Sequence, residues 1–157
     1  MDHRCAAPVF GLALLAACSA ETAFRTAPAP GHVEDAPRRV AAIDWSRAVP
    51  VTVRLSEYTF EPAFLVFKQG QPYRLHLDNT GKRAHTFTSD GFFKAIAARR
   101  LTTPDGVVEQ PYLQVIEVPP GEAAEVDFVA VRPGIFPLDC DEPLHGVFGM
   151  TGKIRVE

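Results

Sequence analysis

The feature that most constrains the fold is a period-two alternation of apolar and polar side chains in four separate segments. In the first segment, the apolar residues Val51, Val53 and Leu55 alternate with polar ones. The same alternation occurs in three further segments, at residues 73–78, 125–128 and 153–156. A strand with this pattern buries one face and exposes the other, as strands of antiparallel sheets do. The alternation therefore predicts a sheet protein with one hydrophobic core.

Shorter apolar segments separated by turns extend this prediction. We expect four further strands, at residues 64–67, 84–88, 113–118 and 135–139. Turn sequences that end in glycine separate the strands, at residues 68–70, 79–81, 119–121 and 132–134. About eight short strands with regular turns predict an all-β fold, a Greek-key β-sandwich.

One segment departs from the strand pattern. Residues 91–100 place Phe92 and Phe93 on the apolar side of a predicted short helix, with Asp90 as its N-cap. A polar loop is predicted to follow at residues 102–111. This excursion is either a lid over a functional site or a packed crossover between strands.

The N-terminus has the pattern of a targeting segment. The apolar run at residues 8–17 suits a signal-peptide core and is too short to span a membrane as a helix. It ends in Leu-Ala-Ala-Cys18, which resembles the lipobox of bacterial lipoproteins, where cleavage precedes a lipidated cysteine. We predict a signal peptide at residues 1–17, a lipidated Cys18 on a flexible tether at 18–49, and a domain at 50–157. The chain would then be an exported lipoprotein anchored in the membrane and facing the periplasm or the cell exterior. Ordinary secretion is the alternative.

The three cysteines of the chain have different expected fates. Cys5 would leave with the signal peptide and Cys18 would carry lipid, which leaves Cys140 without a disulfide partner in an oxidising compartment. Metal ligation is one way to protect such a thiol. The net charge of −3, without a stripe rich in Lys and Arg, argues against nucleic acid as a partner.

The C-terminal segment carries a candidate metal motif. Cys140, His145 and Met150 follow the spacing C-x4-H-x4-M within a loop between two predicted strands. Copper favours a soft thiolate, imidazoles and a weak thioether, and a tight loop can supply three of these ligands. Three glycines can provide the necessary turns: Gly146, Gly149 and Gly152. A second imidazole is expected from another strand, and His85, after the turn Asn79-Thr-Gly81, is the candidate.

Taken together, these motifs resemble those of the cupredoxins, the blue copper proteins. The pattern N-x-G…H-x-F precedes P-G-x-F…C…P-x-H…G-M-x-G-x-I-x-V, and the ligand spacing is similar to that of rusticyanin and auracyanin. The resemblance covers the whole predicted domain and implies one type 1 copper ion held by His85, Cys140, His145 and Met150. Each residue also has a structural interpretation: methionine as core filler, cysteine as an inert buried thiol, and histidines that hydrogen-bond within the fold.

The resemblance also implies a function, which is single-electron transfer between redox protein partners as copper cycles between Cu(I) and Cu(II). In this family the C-terminal histidine reaches the surface through an apolar patch where partners dock. The residues with that character here are Pro143, Leu144, Val147 and Phe148. Three phenylalanines near the ligands are expected to exclude water: Phe87, Phe136 and Phe148. Four protein ligands leave no open position, so we expect no small-molecule substrate.

Four alternatives stay open at this stage. They are a copper carrier or copper-homeostasis protein, a catalytic copper enzyme, a thiol enzyme that uses Cys140 with His145, and a zinc site. The chain lacks the H-C-H run of multicopper oxidases and the C-x3-C pair of binuclear copper centres, so we expect it not to be an enzyme. His76 lies on the polar face of its predicted strand and is interpreted as a surface residue.

Overall fold

The computed structural model describes residues 24–25 and 30–157. Its helices are α1 (Ala36–Ala41) and α2 (Asp90–Ala95), with a 3-10 turn at Trp45–Arg47. Its strands are β1 (Phe24–Arg25), β2 (Val49–Ser56), β3 (Thr59–Glu61), β4 (Phe64–Phe67), β5 (Pro72–Asn79), β6 (His85–Thr88), β7 (Ile96–Thr103), β8 (Gly106–Glu109), β9 (Tyr112–Leu113), β10 (Val115–Val118), β11 (Ala123–Ala130), β12 (Gly134–Asp139) and β13 (Thr151–Val156).

Two sheets enclose the main core. The first has the strand order β10-β6-β12-β13-β4, and the second has the order β3-β2-β5-β11-β7-β8. Most neighbours are antiparallel, whereas β2 pairs with β5 and β13 with β4 in parallel. Buried side chains of both sheets form one cluster, which contains Leu75 and Phe128 from the second sheet and Phe87 and Ile154 from the first. The prediction of an all-β sandwich with a short helix is confirmed.

The eight predicted strands all correspond to observed ones, but the segment after β6 differs from the prediction. Helix α2 ends at Ala95, with Ser89 rather than Asp90 at its N-cap position, and residues 96–103 form β7. This strand pairs with β11, for example Ala97 with Val129. The predicted helix to residue 100 is therefore wrong, because hydrogen bonds to a strand distant in the sequence outweigh the local helical pattern. The predicted loop contains β8, which pairs with β7 as a hairpin.

Helix α2 packs into the core. Phe92 and Phe93 are buried, and the ring of Phe92 lies 5.5 Å from that of Phe67 and 5.4 Å from that of Phe128. Residues 90–95 thus connect the two sheets, which agrees with the crossover interpretation of this segment.

The described part of the predicted tether packs on the domain. Val33, Ala36 and Val40 are buried against Ala97 and Val129 on the outer face of the second sheet. Their spacing of three and four residues places them on one side of the chain around α1, which explains the burial. Ordered packing therefore begins before residue 50, where the sequence analysis places the domain boundary.

The predicted signal peptide and Cys18 lie outside the described residues. Among the helices of the described part, none is long and apolar enough to span a membrane.

Candidate metal centre

The candidate ligands come from two parts of the first sheet. His85 begins the inner strand β6, whereas Cys140, His145 and Met150 belong to the loop between β12 and β13. Strands β6 and β12 are neighbours, with Thr88 paired to Asp139, the residue before Cys140. This pairing brings the strand and the loop to the same place although they lie more than 50 residues apart in the sequence.

The donor atoms of three candidate ligands converge. His85 Nδ1 lies 3.1 Å from His145 Nδ1, and Cys140 Sγ lies 3.4 Å from His145 Nδ1 and 4.0 Å from His85 Nδ1. All three ligand atoms lie within 4.8 Å of one another. The three residues are buried, and Met150 is fully buried in the same core cluster as Cys140. The structure thus brings together the residues that the sequence analysis selected.

Short-range hydrogen bonds close the ligand loop. The backbone N–H of Cys140 donates to the carbonyl oxygen of Met150 at 3.3 Å, and that of Met150 donates to the carbonyl oxygen of His145 at 3.0 Å. Gly149 adopts a left-handed backbone with φ of 94°, which glycine tolerates, and Leu144 takes the other left-handed position with φ of 70°. These bonds hold Met150 beside Cys140 at the base of the loop.

The turn before His85 is held by Asn79, which is buried. Its Nδ2 donates to the carbonyl oxygens of Arg83 and Val118, both at 2.8 Å, and its Oδ1 accepts from the N–H of Gly81 at 2.9 Å. Asn79 therefore fixes the path of the chain into β6 and with it the position of His85.

Thr86 directs two hydrogen-bond donors at the sulfur of Cys140. Its backbone N–H donates to Cys140 Sγ at 3.4 Å, and its hydroxyl lies 3.8 Å from the same atom. The hydroxyl also accepts from the N–H of Asp141 at 2.7 Å. These contacts fix the position of the sulfur beside the strand that carries His85.

Two residues that the sequence analysis missed contact the two imidazoles. Glu57 Oε1 lies 4.0 Å from His85 Nε2, and the ring of Tyr58 lies 4.9 Å from that of His145 in an edge-to-face arrangement. Both residues lie between β2 and β3, at a distance in the sequence from every ligand. No local motif marks them, so only the tertiary structure reveals them.

The protonation states suit a metal site. Burial, followed by the nearby His145, lowers the pKa of His85, which keeps that imidazole neutral and able to donate its lone pair. Hydrogen bonds from the backbone, led by the N–H of Lys82, lower the pKa of Glu57 and keep it ionised.

The surface around His145 is apolar. The side chains of Leu144, Val147 and Phe148 are 64%, 82% and 58% exposed, and Pro143 is also exposed. The ring of Phe148 packs at 4.8 Å against that of Tyr58, which in turn contacts the ring of His145.

The other two phenylalanines expected to exclude water differ in position. Phe87 is buried in the core beside His85 in β6. Phe136 instead contacts Phe92 and lies close to Gly91 and Gly134, near the beginning of β12, whereas Cys140 follows the end of that strand.

The donor set suits copper. A cysteine sulfur, two imidazoles and a buried thioether match the ligand preference of copper in type 1 sites. The cluster of ligand atoms contains no carboxylate, and Glu57 lies on the Nε2 side of His85, away from the other donors. His76 lies partly exposed on the second sheet, paired with Thr52 and Glu125, away from the described cluster.

Comparison with known proteins gives one family. The multicopper oxidase family matches residues 36–157, which is most of the chain. No match to a curated protein is found by sequence alone.

Solved structures with similar folds include three copper proteins or oxidases. A multicopper oxidase from Campylobacter jejuni superposes with a TM-score of 0.55 at 15% identity, covering 73% of this chain and 31% of that chain. Copper nitrite reductase from Nitrosomonas europaea gives 0.52 at 17%, covering 74% and 51%. Reduced auracyanin from Roseiflexus castenholzii gives 0.50 at 16%, covering 70% and 98%. These similarities establish a cupredoxin-like fold, and the chain spans about a third of the length of the multicopper oxidase.

The family match corrects one expectation. The absence of an H-C-H run led us to expect a chain that is not an enzyme, but the matching family is one of oxidases, as are several neighbours in fold. The H-C-H run is a local motif that serves the binding of additional copper ions. Its absence therefore gives no information about a domain fold that is shared with larger enzymes.

Proposed function

The chain belongs to the multicopper oxidase family as a cupredoxin-like copper-binding domain, and from this premise we propose that it holds a single type 1 copper ion and takes part in single-electron transfer. The residues proposed to hold the ion are His85, Cys140, His145 and Met150.

One observation carries the proposal. Three buried donor atoms of the types that copper prefers lie within 4.8 Å of one another, with a fully buried methionine at the base of the same loop. When bound, copper would supply a change of one electron between Cu(I) and Cu(II), which a site of thiolate, two imidazoles and a weak thioether supports. Strand β6 and the loop between β12 and β13 hold these donors close together.

The surrounding residues favour such a role. Thr86 donates its N–H to the sulfur at 3.4 Å, and Tyr58 packs edge-to-face against His145, which is buried and thus shielded from water. A buried site in which hydrogen bonds and packing hold the ligands needs little rearrangement when its charge changes.

We propose that redox protein partners dock on the apolar surface formed by Pro143, Leu144, Val147 and Phe148. These four residues flank His145 in the sequence, and all four are exposed. Exposed apolar patches with such neighbours mark interaction sites. The auracyanin neighbour, whose structure was determined in a reduced form and is almost wholly covered by this domain, supports electron transfer by a domain of this size.

The family match favours a second candidate, in which the domain is the electron-receiving unit of an oxidase reaction. A copper carrier is a third role that the same site would allow. The three roles differ in what happens to electrons and to copper, so one set of measurements separates them.

The test uses copper-loaded protein. Electron transfer predicts fast and reversible one-electron cycling with small redox complexes and slow copper loss to a chelator. His145→Gly is expected to keep the fold and to lose fast exchange. Unchanged exchange in that variant would contradict the role of His145, rapid copper loss would favour the carrier, and oxygen consumption with an electron donor would favour the oxidase.

We also propose that the chain is exported and anchored through a lipid on Cys18. This proposal rests on the sequence of residues 1–18 alone. The full chain is expected in the membrane fraction of a bacterial host, and Cys18→Ser is expected to release it. Equal membrane retention of the variant would contradict lipid anchoring.

A further inference from the structure

The two nitrogens of the His85 ring have different surroundings. Nδ1 faces the other donors, at 3.1 Å from His145 Nδ1 and 4.0 Å from Cys140 Sγ. Nε2 is buried and has no hydrogen-bond partner. Among the described residues, it is the only buried side-chain nitrogen or oxygen without one. Buried polar groups are normally paired, so an unpaired one calls for an explanation.

The nearest charged group to Nε2 is the carboxylate of Glu57, whose Oε1 lies 4.0 Å away. Glu57 is held in place, because its Oε1 accepts from the backbone N–H of Lys82 at 2.6 Å and from that of Arg83 at 3.0 Å. An ionised carboxylate has about four acceptor positions, so these two bonds leave room for another donor.

Gly81 leaves the space between the carboxylate and the imidazole free. A Cβ at this position would lie 2.9 Å from each Glu57 carboxylate oxygen and 3.0 Å from His85 Nε2. Any other residue here would push these groups apart. The N–H of Gly81 is in turn fixed by Asn79 Oδ1.

We propose that Glu57 is a positioning residue for the metal site, and that its carboxylate accepts a hydrogen bond from the Nε2–H of His85. This contact selects the ring tautomer that leaves the Nδ1 lone pair free toward Cys140 and His145. The present distance exceeds that of an ordinary hydrogen bond by about 1 Å. Gly81 leaves the space through which the imidazole and the carboxylate can close this gap. The inference rests on the proposed copper site and deepens it.

The charge of Glu57 has a second consequence. A carboxylate hydrogen-bonded to a ligand imidazole makes the ligand more basic, which favours the more highly charged state of the metal. Glu57 is therefore expected to stabilise Cu(II) relative to Cu(I) and to lower the reduction potential.

The test compares Glu57→Gln with Glu125→Gln. The side chain of Glu125 is 32% exposed, against 31% for Glu57, but Glu125 lies on the second sheet beside Arg74. In Glu57→Gln the new amide oxygen can still accept from the N–H groups of Lys82 and Arg83, but the negative charge that attracts the Nε2 proton is removed.

The first measurement is nitrogen NMR of the metal-free protein. The wild type and Glu125→Gln are expected to show His85 protonated at Nε2 with a slowly exchanging proton. Glu57→Gln is expected to lose this signal. Gly81→Ala, which keeps the charge but displaces the carboxylate, is expected to lose it as well and serves if Glu57→Gln does not fold. An unchanged tautomer in the folded variants would overturn the proposal.

The second measurement is the reduction potential of the copper-loaded protein. Glu57→Gln is expected to decrease the ratio of Cu(II) to Cu(I) affinity about tenfold, which raises the potential by about 59 mV for one electron. Glu125→Gln is expected to match the wild type. Equal potentials in all three proteins would overturn the role of the Glu57 charge. Failure of the wild type to bind copper would instead refute the proposed function, while the metal-free tautomer would still decide the role of Glu57.

Discussion

The candidate centre has two halves that are held in place differently: the strand half, which is His85 in β6, and the loop half, which is Cys140, His145 and Met150 between β12 and β13. His85 sits in the inner strand β6, flanked by β10 and β12, and its preceding turn is fixed by Asn79. Cys140, His145 and Met150 occupy a loop closed by its own hydrogen bonds, with Leu144 and Val147 exposed at its surface.

The difference suggests a division of roles. The strand half has little freedom to move, because β10 pairs with β6 along its whole length and β12 pairs with its last residue. The loop half supplies three of the four candidate ligands and also the surface that a partner would meet. Because hydrogen bonds within the loop hold it closed, the short segment of residues 140–150 can carry both the ligands and the docking surface.

The largest expected effect comes from the sulfur of the loop half. Cys140→Ser removes the soft donor while the hydroxyl can still accept from the N–H of Thr86. We expect copper affinity to fall by more than about 100-fold, since changes outside the first ligand sphere already cost about 10–100-fold. Competition with a copper chelator measures this loss. Cys18→Ser is the control and is expected to retain full affinity, so a similar loss in both variants would contradict the assignment of Cys140.

The next effect compares the two imidazoles in metal-free protein. His85→Ala is expected to lower the free energy of unfolding by about 2 kcal/mol, because the strands around it cannot collapse into the space. His145→Ala is expected to cost less than about 1 kcal/mol, because the loop can relax toward solvent. Chemical denaturation measures both values. A larger cost for His145 would refute the distinction between a rigid strand half and an adaptable loop half.

The smallest effect on stability concerns the surface of the loop half. Val147→Asp is expected to change the free energy of unfolding by less than about 0.5 kcal/mol, because the side chain is 82% exposed. Electron exchange between two copies of the copper-loaded protein is nevertheless expected to slow about tenfold, within the range of association-rate changes seen among interface variants.

Ile135→Asp is the matched control for that variant, because Ile135 is another exposed apolar residue (61%), located in β12. It is expected to leave the exchange rate unchanged. Equal slowing by both substitutions would show that charge alone, rather than the position beside His145, determines the rate.

The comparison of the two halves also explains what could be predicted from the sequence. The loop motif is local, so the spacing of Cys140, His145 and Met150 was sufficient to select them. His85 was found because a turn and a strand start mark it. Glu57 and Tyr58 were missed, because they reach the imidazoles only through the pairing of β2 with β5 and the turn into β3.

The fold shows the same limit. Alternating strands such as β2, β5 and β13 were predictable because each buries one face. Strand β7 was not, since Ala97 and Ala98 are buried on opposite faces, one beneath α1 and the other in the main core, which removes the alternation. The packing of Val33 and Val40 was missed because it depends on the apolar outer face of β7 and β11, which the sequence pattern of those strands does not reveal.

The central claim is that one copper ion is held by sulfur and imidazole together. Titration of metal-free protein with Cu(II), followed by visible absorption, tests it most directly. We predict an intense band from charge transfer between thiolate and copper, which grows until one equivalent is bound and is absent in Cys140→Ser. A protein that stays colourless with bound Cu(II), or a band of the same intensity in Cys140→Ser, would contradict the account.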